Sequence, residues 1–102
     1  MEHNTIYEVP FKREGLNGLL VFDGQVLEPF YAALRSEPRY HISMIRDVSY
    51  DKHPRRPFYR LSIVYHAIPL VYLVPEEYHQ QGERLAQALM QARAGRDDSW
   101  LD

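Results

Sequence analysis

One amphipathic segment near the C-terminal end constrains the fold of this 102-residue chain more than any other feature. Between Pro75 and Arg93, apolar or small residues recur at alternating spacings of four and three positions, which predicts a helix with one apolar stripe. We expect the helix to begin at Pro75 and to end at Gly95. Because such a helix must bury its stripe, the preceding chain is expected to supply a sheet that receives it. The stripe comprises Tyr78, Gly82, Leu85, Leu89 and Ala92.

Short strand patterns fill most of the chain before this helix. The clearest is 58–65, in which alternate positions form one apolar face. The segment 68–74 is apolar at nearly every position, which predicts burial on both of its faces. The Asp-Gly pair at 23–24 and the pair at 66–67 predict tight hairpin turns, and a longer turn is expected at 14–18. Strands are predicted over residues 5–13, 19–22, 25–27, 39–43, 47–50, 58–65 and 68–74.

The segment from Glu28 to Pro38 is compatible with two structures. The residues that follow Pro29 favour a short helix of two turns, because alanine, leucine and arginine are good helix formers. The same residues can instead continue the strand and end in a loop. Pro38 ends the element in either case.

Seven short strands joined mainly by hairpins predict a mostly antiparallel sheet. A sheet of this size is expected to curl into a partly open barrel, or into two nearly orthogonal sheets, with the C-terminal helix closing one end. The fold class is therefore mainly β with one helix, in a single domain over residues 1–95 followed by a polar tail over 96–102. An α+β sheet with two helices is the alternative, if residues 29–36 form a full helix.

Bulk composition limits the classes of function. Hydrophobic residues make up 45% and charged residues 25%, which is typical of a soluble globular domain. The formal net charge of −2 argues against nucleic-acid binding by the whole surface. The absence of cysteine excludes a disulfide framework and a thiol nucleophile, and it fits a cytoplasmic location. We see no signal-peptide pattern and no apolar run of the roughly 20 residues that a membrane span needs.

Three stretches carry a resemblance to a known superfamily. They are LLVFDGQVL at 19–27, RYHISMIRDVSY at 39–50, and VPEEY at 74–78, which leads into the helix. In this order the chain resembles the small bacterial domains of the pleckstrin-homology-like (PH-like) superfold, whose barrel of seven antiparallel strands is plugged by a C-terminal helix. The resemblance implies a binding platform for phosphoinositides, phosphopeptides or partner proteins. Its lipid-binding members carry a basic motif across the first two strands, whereas here the second strand, 19–22, has no basic residue.

A cluster of basic residues in and beside the loop 51–57 is the sharpest local feature. Arginine forks suit phosphate oxygens, and the prolines of the loop restrict its backbone. The same cluster is more typical of a solvated loop that pairs with Asp47 or Asp51, and we favour that interpretation. The candidates for binding an anion or a lipid are Lys12, Arg13, Lys52, His53, Arg55, Arg56 and Arg60.

A second group of residues is a candidate for contact with a protein partner. Phe58 belongs to the less apolar face of its strand, and Trp100 and Leu101 are large apolar residues in the tail. The five histidines show no spacing typical of a metal site, and no serine lies in a nucleophile motif. We therefore expect no catalytic residues, no metal and no cofactor.

These observations favour a non-enzymatic interaction module whose ligand is a protein segment or a second copy of the chain. An exposed strand edge would suit either partner. The first alternative is binding of an anionic lipid or a phosphate through the basic loop. The second is a small-ligand carrier or an enzyme that uses the barrel interior, which requires a polar residue pointing inward. The alternating faces of the predicted strands place none there.

Overall fold

A computed structural model describes residues 5–32 and 39–101 of the chain, with side chains as far as residue 94. It contains seven strands, two short 3-10 turns and one helix. In chain order the elements are β1 (Tyr7–Arg13), β2 (Leu16–Phe22), β3 (Val26–Tyr31), β4 (Tyr40–His41), a 3-10 turn (Ile42–Met44), β5 (Ile45–Lys52), β6 (Phe58–Tyr65), β7 (Ile68–Pro75), a second 3-10 turn (Glu76–Tyr78) and α1 (His79–Leu101).

The strands form one antiparallel sheet in the order β4-β3-β2-β1-β7-β6-β5. β1 pairs with β2 along its whole length, whereas the pairing of β1 with β7 is a single residue pair, Lys12 with Leu73. The sheet is not closed, since β4 and β5 remain its two edges in the described part of the chain. The predicted fold class is thereby confirmed: a mainly β domain with an open antiparallel sheet and one C-terminal helix, consistent with a PH-like fold.

The helix stripe predicted from the sequence is confirmed as the inner face of α1 and of the 3-10 turn that precedes it. Gly82, Leu85 and Leu89 are buried, and Tyr78 and Ala92 lie partly buried against the same core. The sheet contributes apolar side chains from alternate positions of its strands, and each large one stabilises the fold by about 1.5–3 kcal/mol. The core residues from the strands are Val9, Phe11, Leu20, Phe22, Leu27, Tyr40, Ile45, Leu61, Ile63, Leu70, Tyr72 and Val74. Ile42, in the first 3-10 turn, also belongs to the core.

The hairpins β2–β3 and β6–β7 follow the sequence patterns closely. The side chain of Asp23 accepts hydrogen bonds from the N–H groups of Gln25 and Val26, and these bonds lower the pKa of that carboxyl group. β6 has the predicted bounds, and His66 adopts a positive φ of 58° in the tight turn after it. The turn after β1 is shorter than predicted, because Glu14 and Gly15 both adopt positive φ values and complete it alone.

Burial of β7 on both faces was a wrong prediction. Ile68 is 58% exposed and Val71 is 43% exposed, although the alternate positions along β7 are buried. The reason is that the single helix covers only the inner side of the sheet. The described chain supplies no second layer for the outer side, so apolar side chains of β7 remain accessible there.

Both predicted ends of the helix were wrong. Pro75 is the last residue of β7, with extended φ and ψ values of −56° and 144°, and a 3-10 turn separates it from α1. The helix continues past Gly95 to Leu101, so residues 96–101 of the predicted tail are helical. A glycine permits a helix end but does not require one, since within a helix it costs only about 1 kcal/mol.

The segment from Glu28 to Pro38, which the sequence left ambiguous, continues strand β3 as far as Tyr31. Pro29, Phe30 and Tyr31 pair with Leu20, Leu19 and Gly18, so a helix beginning at Pro29 was the wrong alternative. Cross-strand pairing overrides local helix propensity here, because it buries Pro29 and the adjacent core residues. Residues 33–38, which include the rest of this segment, lie outside the described residues.

Gly18 provides a test of how tightly the β2–β3 hairpin packs. A Cβ atom at this position would lie 2.5 Å from the carbonyl oxygen of Phe30 and 2.6 Å from the ring of Phe11. We expect Gly18→Ala to lower the free energy of unfolding by about 1–3 kcal/mol because neither neighbour can move freely. Urea denaturation would measure the loss, with the exposed Asn17→Ala as the control. An unchanged midpoint for Gly18→Ala would contradict this packing.

Candidate functional site

The two basic residues of β1 lie on opposite faces of the strand. Lys12 is exposed on the outer face, whereas Arg13 shares the inner side with Phe11. The Nη1 atom of Arg13 donates to the hydroxyl of Tyr31 at 3.2 Å, and its guanidinium lies 5.6 Å from the ring centre of Tyr72. Burial acts to lower the pKa of Arg13, but the interactions with Tyr31, Tyr72 and Glu14 together outweigh it and the pKa is raised. Arg13 is therefore bound to the barrel interior and does not share an outer surface with Lys12.

Two cations at the end of β5 and the start of β6 are already paired. Arg60 donates two hydrogen bonds to the carboxylate of Asp51, at 3.1 Å and 3.0 Å. The Nζ atom of Lys52 donates to the carbonyl oxygen of Arg56 at 3.2 Å and lies 3.9 Å from a carboxylate oxygen of Glu76. These interactions secure the ends of the hairpin and reduce the positive charge offered to an external anion.

The loop itself is shaped by a histidine. His53 Nδ1 accepts hydrogen bonds from the backbone N–H groups of Arg55 and Arg56, at 3.1 Å and 3.2 Å. The side chains of Arg55 and Arg56 are exposed, and within the described residues neither guanidinium makes a hydrogen bond or an ion pair. Of the seven predicted anion-binding residues, these two arginines and Lys12 keep exposed and unpaired cations.

An open groove of about 590 Å³ lies beside this loop. Phe58, one of the predicted partner-contact residues, is half-buried in its wall. The groove also exposes the ammonium group of Lys12 and the carboxylates of Glu76 and Glu77, so the charges around it are mixed. It is lined by Lys12, Pro57, Phe58, Pro75, Glu76 and Glu77. The mixed charge makes it a poor focus for a phosphate group.

The longer edge of the sheet is β5, which pairs only with β6 among the described strands. The N–H of His53, just beyond β5, points toward β6 and donates to the carbonyl of Phe58. The N–H of Val48 instead donates to the side chain of Asp47, at 3.0 Å. Because these directions alternate along an antiparallel strand, the N–H and C=O groups of Val48, Tyr50 and Lys52 lie on the free side. We call this side of the backbone the β5 edge.

The two faces of β5 differ in character. Val48 and Tyr50 are half-buried and pack against the core. Asp47, Ser49 and Asp51 are exposed on the outer face, opposite Val64, Ser62 and Arg60 of β6. A strand added at the β5 edge would thus meet apolar side chains on one face and carboxylates on the other.

A stack of three rings fixes the start of α1 beside β5. The ring of Tyr59 lies 3.9 Å from that of His79 and 5.4 Å from that of Tyr50, both nearly parallel to it. The hydroxyl of Tyr50 lies 3.2 Å from His79 Nδ1 and donates to the carbonyl oxygen of His79, also at 3.2 Å. Burial raises the pKa of Tyr50 well above its usual value. These contacts hold the helix and the edge strand in a fixed relation.

The barrel interior contains polar groups that the sequence patterns did not predict. Arg13 and the hydroxyl-bearing side chains of Tyr31, Tyr40 and Tyr72 lie at one end of the core. Burial, followed by the neighbouring Tyr40, raises the pKa of the Tyr72 hydroxyl. The earlier inference that no polar group points inward was wrong, because Arg13 continues the inner face of β1. These groups are surrounded by packed rings, including an edge-to-face contact of Phe11 with Tyr72 at 5.0 Å.

The remaining candidates form no joint site in the described chain. His41 bonds to Ser43, and His66 lies in a hairpin turn. Among the described residues, no group of three histidine, aspartate or glutamate side chains could hold a metal ion. Trp100 and Leu101 fall in the last turn of α1, where side chains are not described, so their contact with a partner stays a prediction. No helix in the described part of the chain has the length and apolar character to cross a membrane.

Comparison with protein-family models, with curated proteins and with solved structures finds no significant match for this chain. Its function must therefore be argued from its own surface. The sequence indicated the contacts between helix and sheet only in part. A glycine at position 82 of the predicted helix stripe fits a close approach to the sheet, but nothing local signalled that His79 would stack on Tyr59, because the register between helix and sheet depends on the whole fold.

A double-mutant cycle tests the contact between Gly82 and Tyr50. A Cβ atom at position 82 would lie 2.5 Å from the Tyr50 hydroxyl and 3.1 Å from Val74 Cγ1. We expect Gly82→Ala to cost about 1–2 kcal/mol of stability, because overpacking outweighs the better helix propensity of alanine. The cost should fall by about 1 kcal/mol in a Tyr50→Phe background, which lacks the hydroxyl. Equal costs in both backgrounds, measured by urea denaturation, would refute the contact.

Proposed function

We propose that this protein is a non-enzymatic, PH-like interaction module of bacterial type that binds an extended protein segment by strand addition at the β5 edge. The observation that carries the proposal is an eight-residue edge strand, β5, with backbone groups directed away from its only described neighbour. The other edge, β4, has two residues. Because β5 is the longer of the two sheet edges, strand addition is favoured there. The lack of cysteine fits a cytoplasmic site for this interaction.

The chemistry of the edge suits a peptide backbone. An added strand would exchange hydrogen bonds with Val48, Tyr50 and Lys52, each contributing about 0.5–1.5 kcal/mol net. Its side chains on one face would extend the apolar surface of Val48 and Tyr50. Because the ring stack holds α1 in place beside β5, the surface is formed before the ligand arrives, and less ordering entropy opposes binding.

Binding of an anionic lipid or phosphate has one specific observation in its favour, the two unpaired guanidinium groups of Arg55 and Arg56. The carboxylates of Asp51 and Glu76 pair with Arg60 and Lys52, Glu77 adds a further negative charge in the adjoining groove, and the net charge of the chain is −2. A small-ligand carrier or an enzyme has less support, because the interior of the described chain is filled by core side chains. Strand addition therefore explains more of the surface than either alternative.

Selection of binding segments tests strand addition directly. We would select binders from a displayed library of random peptides and map the selected segments onto the protein by amide chemical shifts. We expect the largest shifts at Val48, Tyr50 and Lys52. Val48→Pro should weaken binding about two- to tenfold, because it removes an N–H from the free side and leaves the bonds to β6 in place.

The matched control for that experiment is Ser49→Ala, which changes an exposed side chain and keeps every backbone group. It should bind within about twofold of the original chain. Circular dichroism would establish that Val48→Pro is folded. The proposal fails if no segment is selected, if the shifts map elsewhere, or if folded Val48→Pro binds as well as the control.

A vesicle assay separates the lipid alternative from strand addition. At physiological salt we expect no more sedimentation with phosphatidylserine-containing vesicles than with neutral ones, since neighbouring carboxylates and salt screen Arg55 and Arg56. The double variant Arg55→Glu/Arg56→Glu should behave in the same way. Sedimentation that requires anionic vesicles and disappears in the double variant would favour the lipid alternative.

A further inference from the structure

The pattern of charged, apolar and polar residues at the centre of β5 is palindromic. It runs Asp47, Val48, Ser49, Tyr50, Asp51: an acid, an apolar residue, a serine, an apolar residue and an acid. The acids and the serine lie on the exposed outer face, and the apolar residues lie on the inner face. The pattern is therefore symmetric about Ser49 in both polarity and charge.

This symmetry has a physical effect on self-association through the β5 edge. Two copies that pair antiparallel about Ser49 would place Asp47 of each copy directly opposite Asp51 of the other, twice in one interface. Like charges directly opposite one another destabilise a strand pair, here by about two- to fivefold in affinity for each pair. A shift of the register by two residues, which centres the pairing on Tyr50, keeps five paired residues and places Asp51 opposite Ser49. It removes the like-charge opposition, but it places no lysine or arginine opposite either aspartate.

The two acids differ in how far their charges are compensated. Asp51 is held by Arg60 through two hydrogen bonds. The described structure offers Asp47 no cation, and its carboxylate instead accepts the free-side N–H of Val48. An added strand that takes this N–H with its own carbonyl would displace the Asp47 carboxylate. The displaced carboxylate then needs a positive partner on the arriving strand.

We infer that the β5 edge selects an extended segment of a different chain, with a basic residue opposite Asp47 and a second one opposite Asp51. Two such residues would be four positions apart on the segment. Apolar residues at the second and fourth of these five positions would face Tyr50 and Val48. This inference rests on the proposed function, since it specifies the partner of the same edge. A second copy places no lysine or arginine opposite Asp47 in either register, so the same uncompensated carboxylate favours a basic segment over a second copy.

The nearby cations leave this preference intact. Arg46 occupies the irregularity in pairing between Ile45 and Asp47, so it stands outside the regular ladder. Lys52 is engaged by the carbonyl of Arg56 and by Glu76. Among the described residues, the outer face of the regular part of the edge therefore presents the uncompensated carboxylate of Asp47, the carboxylate of Asp51 paired with Arg60, and no unpaired cation.

Three capped peptides test the charge preference with the protein itself. The first has the sequence of residues 45–52, the second carries lysine in place of both aspartates, and the third is a scrambled form of the second. Each is titrated at physiological salt into the isotope-labelled protein, and its affinity is read from amide shifts along β5. We expect the lysine peptide to bind at least about fivefold more tightly than the peptide of residues 45–52.

A charge swap on the protein provides the reciprocal measurement. Asp47→Lys should remove most of the difference between the first two peptides, because each peptide then makes one attractive and one repulsive pair, and Asp47→Asn should reduce the difference by a smaller amount. An undiminished preference for the lysine peptide in Asp47→Lys would contradict pairing at this position. The scrambled peptide should show no preference for the β5 edge.

The outcomes separate this inference from the proposed function. Equal affinities of the first two peptides, with shifts at β5, would overturn the charge preference and leave strand addition standing. Amide shifts of equal size with the scrambled peptide would also overturn the charge preference. They would show that the peptide's positive charge is enough for binding, whatever the position of its lysines along β5. Absence of any shift at Val48, Tyr50 and Lys52 with all three peptides would count against strand addition itself.

Discussion

Burial of one helix face inside an open sheet is the interaction on which the rest of this structure depends. A single residue pair, Lys12 with Leu73, joins β1 and β7 in register. The inner side of the sheet carries the apolar core side chains, which the strands alone do not cover. Leu85 and Leu89 of α1 fill that side and are fully buried. Without the helix, the inner faces of both halves of the sheet would be exposed to water.

The helix also determines how β5 is presented. The stack of Tyr50, Tyr59 and His79 and the absence of a side chain at Gly82 bring the start of α1 close to β5 and β6. The inner face of β5 is thereby supported by α1, while the free side of its backbone pairs with no other described strand. An edge supported in this way can form a regular ladder with an added strand. The same residues thus serve stability and, in our proposal, binding.

Residue patterns predicted the parts of the fold that depend on local alternation. The bounds of β6, the inner stripe of α1 and the turn at Asp23 follow from spacing and from turn chemistry. The strand at Pro29 and the continuation of α1 past Gly95 did not, because cross-strand pairing and tolerance of glycine within a helix decided them. The candidate site was harder still. Basic residues adjacent in sequence, such as Lys12 and Arg13, lie on opposite faces of their strand. The β5 edge depends on the order of the described strands in the sheet, which no local pattern in β5 shows.

The unequal lengths of the two sheet edges bear on how large an assembly can grow. A sheet that polymerises must offer two edges that can pair, one to join the growing end and one to receive the next copy. Here β5 extends over eight residues, whereas β4 has two, too few to hold a further strand in register. In our proposal, a partner's strand would extend the sheet at β5, and the short β4 would disfavour a further addition at the other edge.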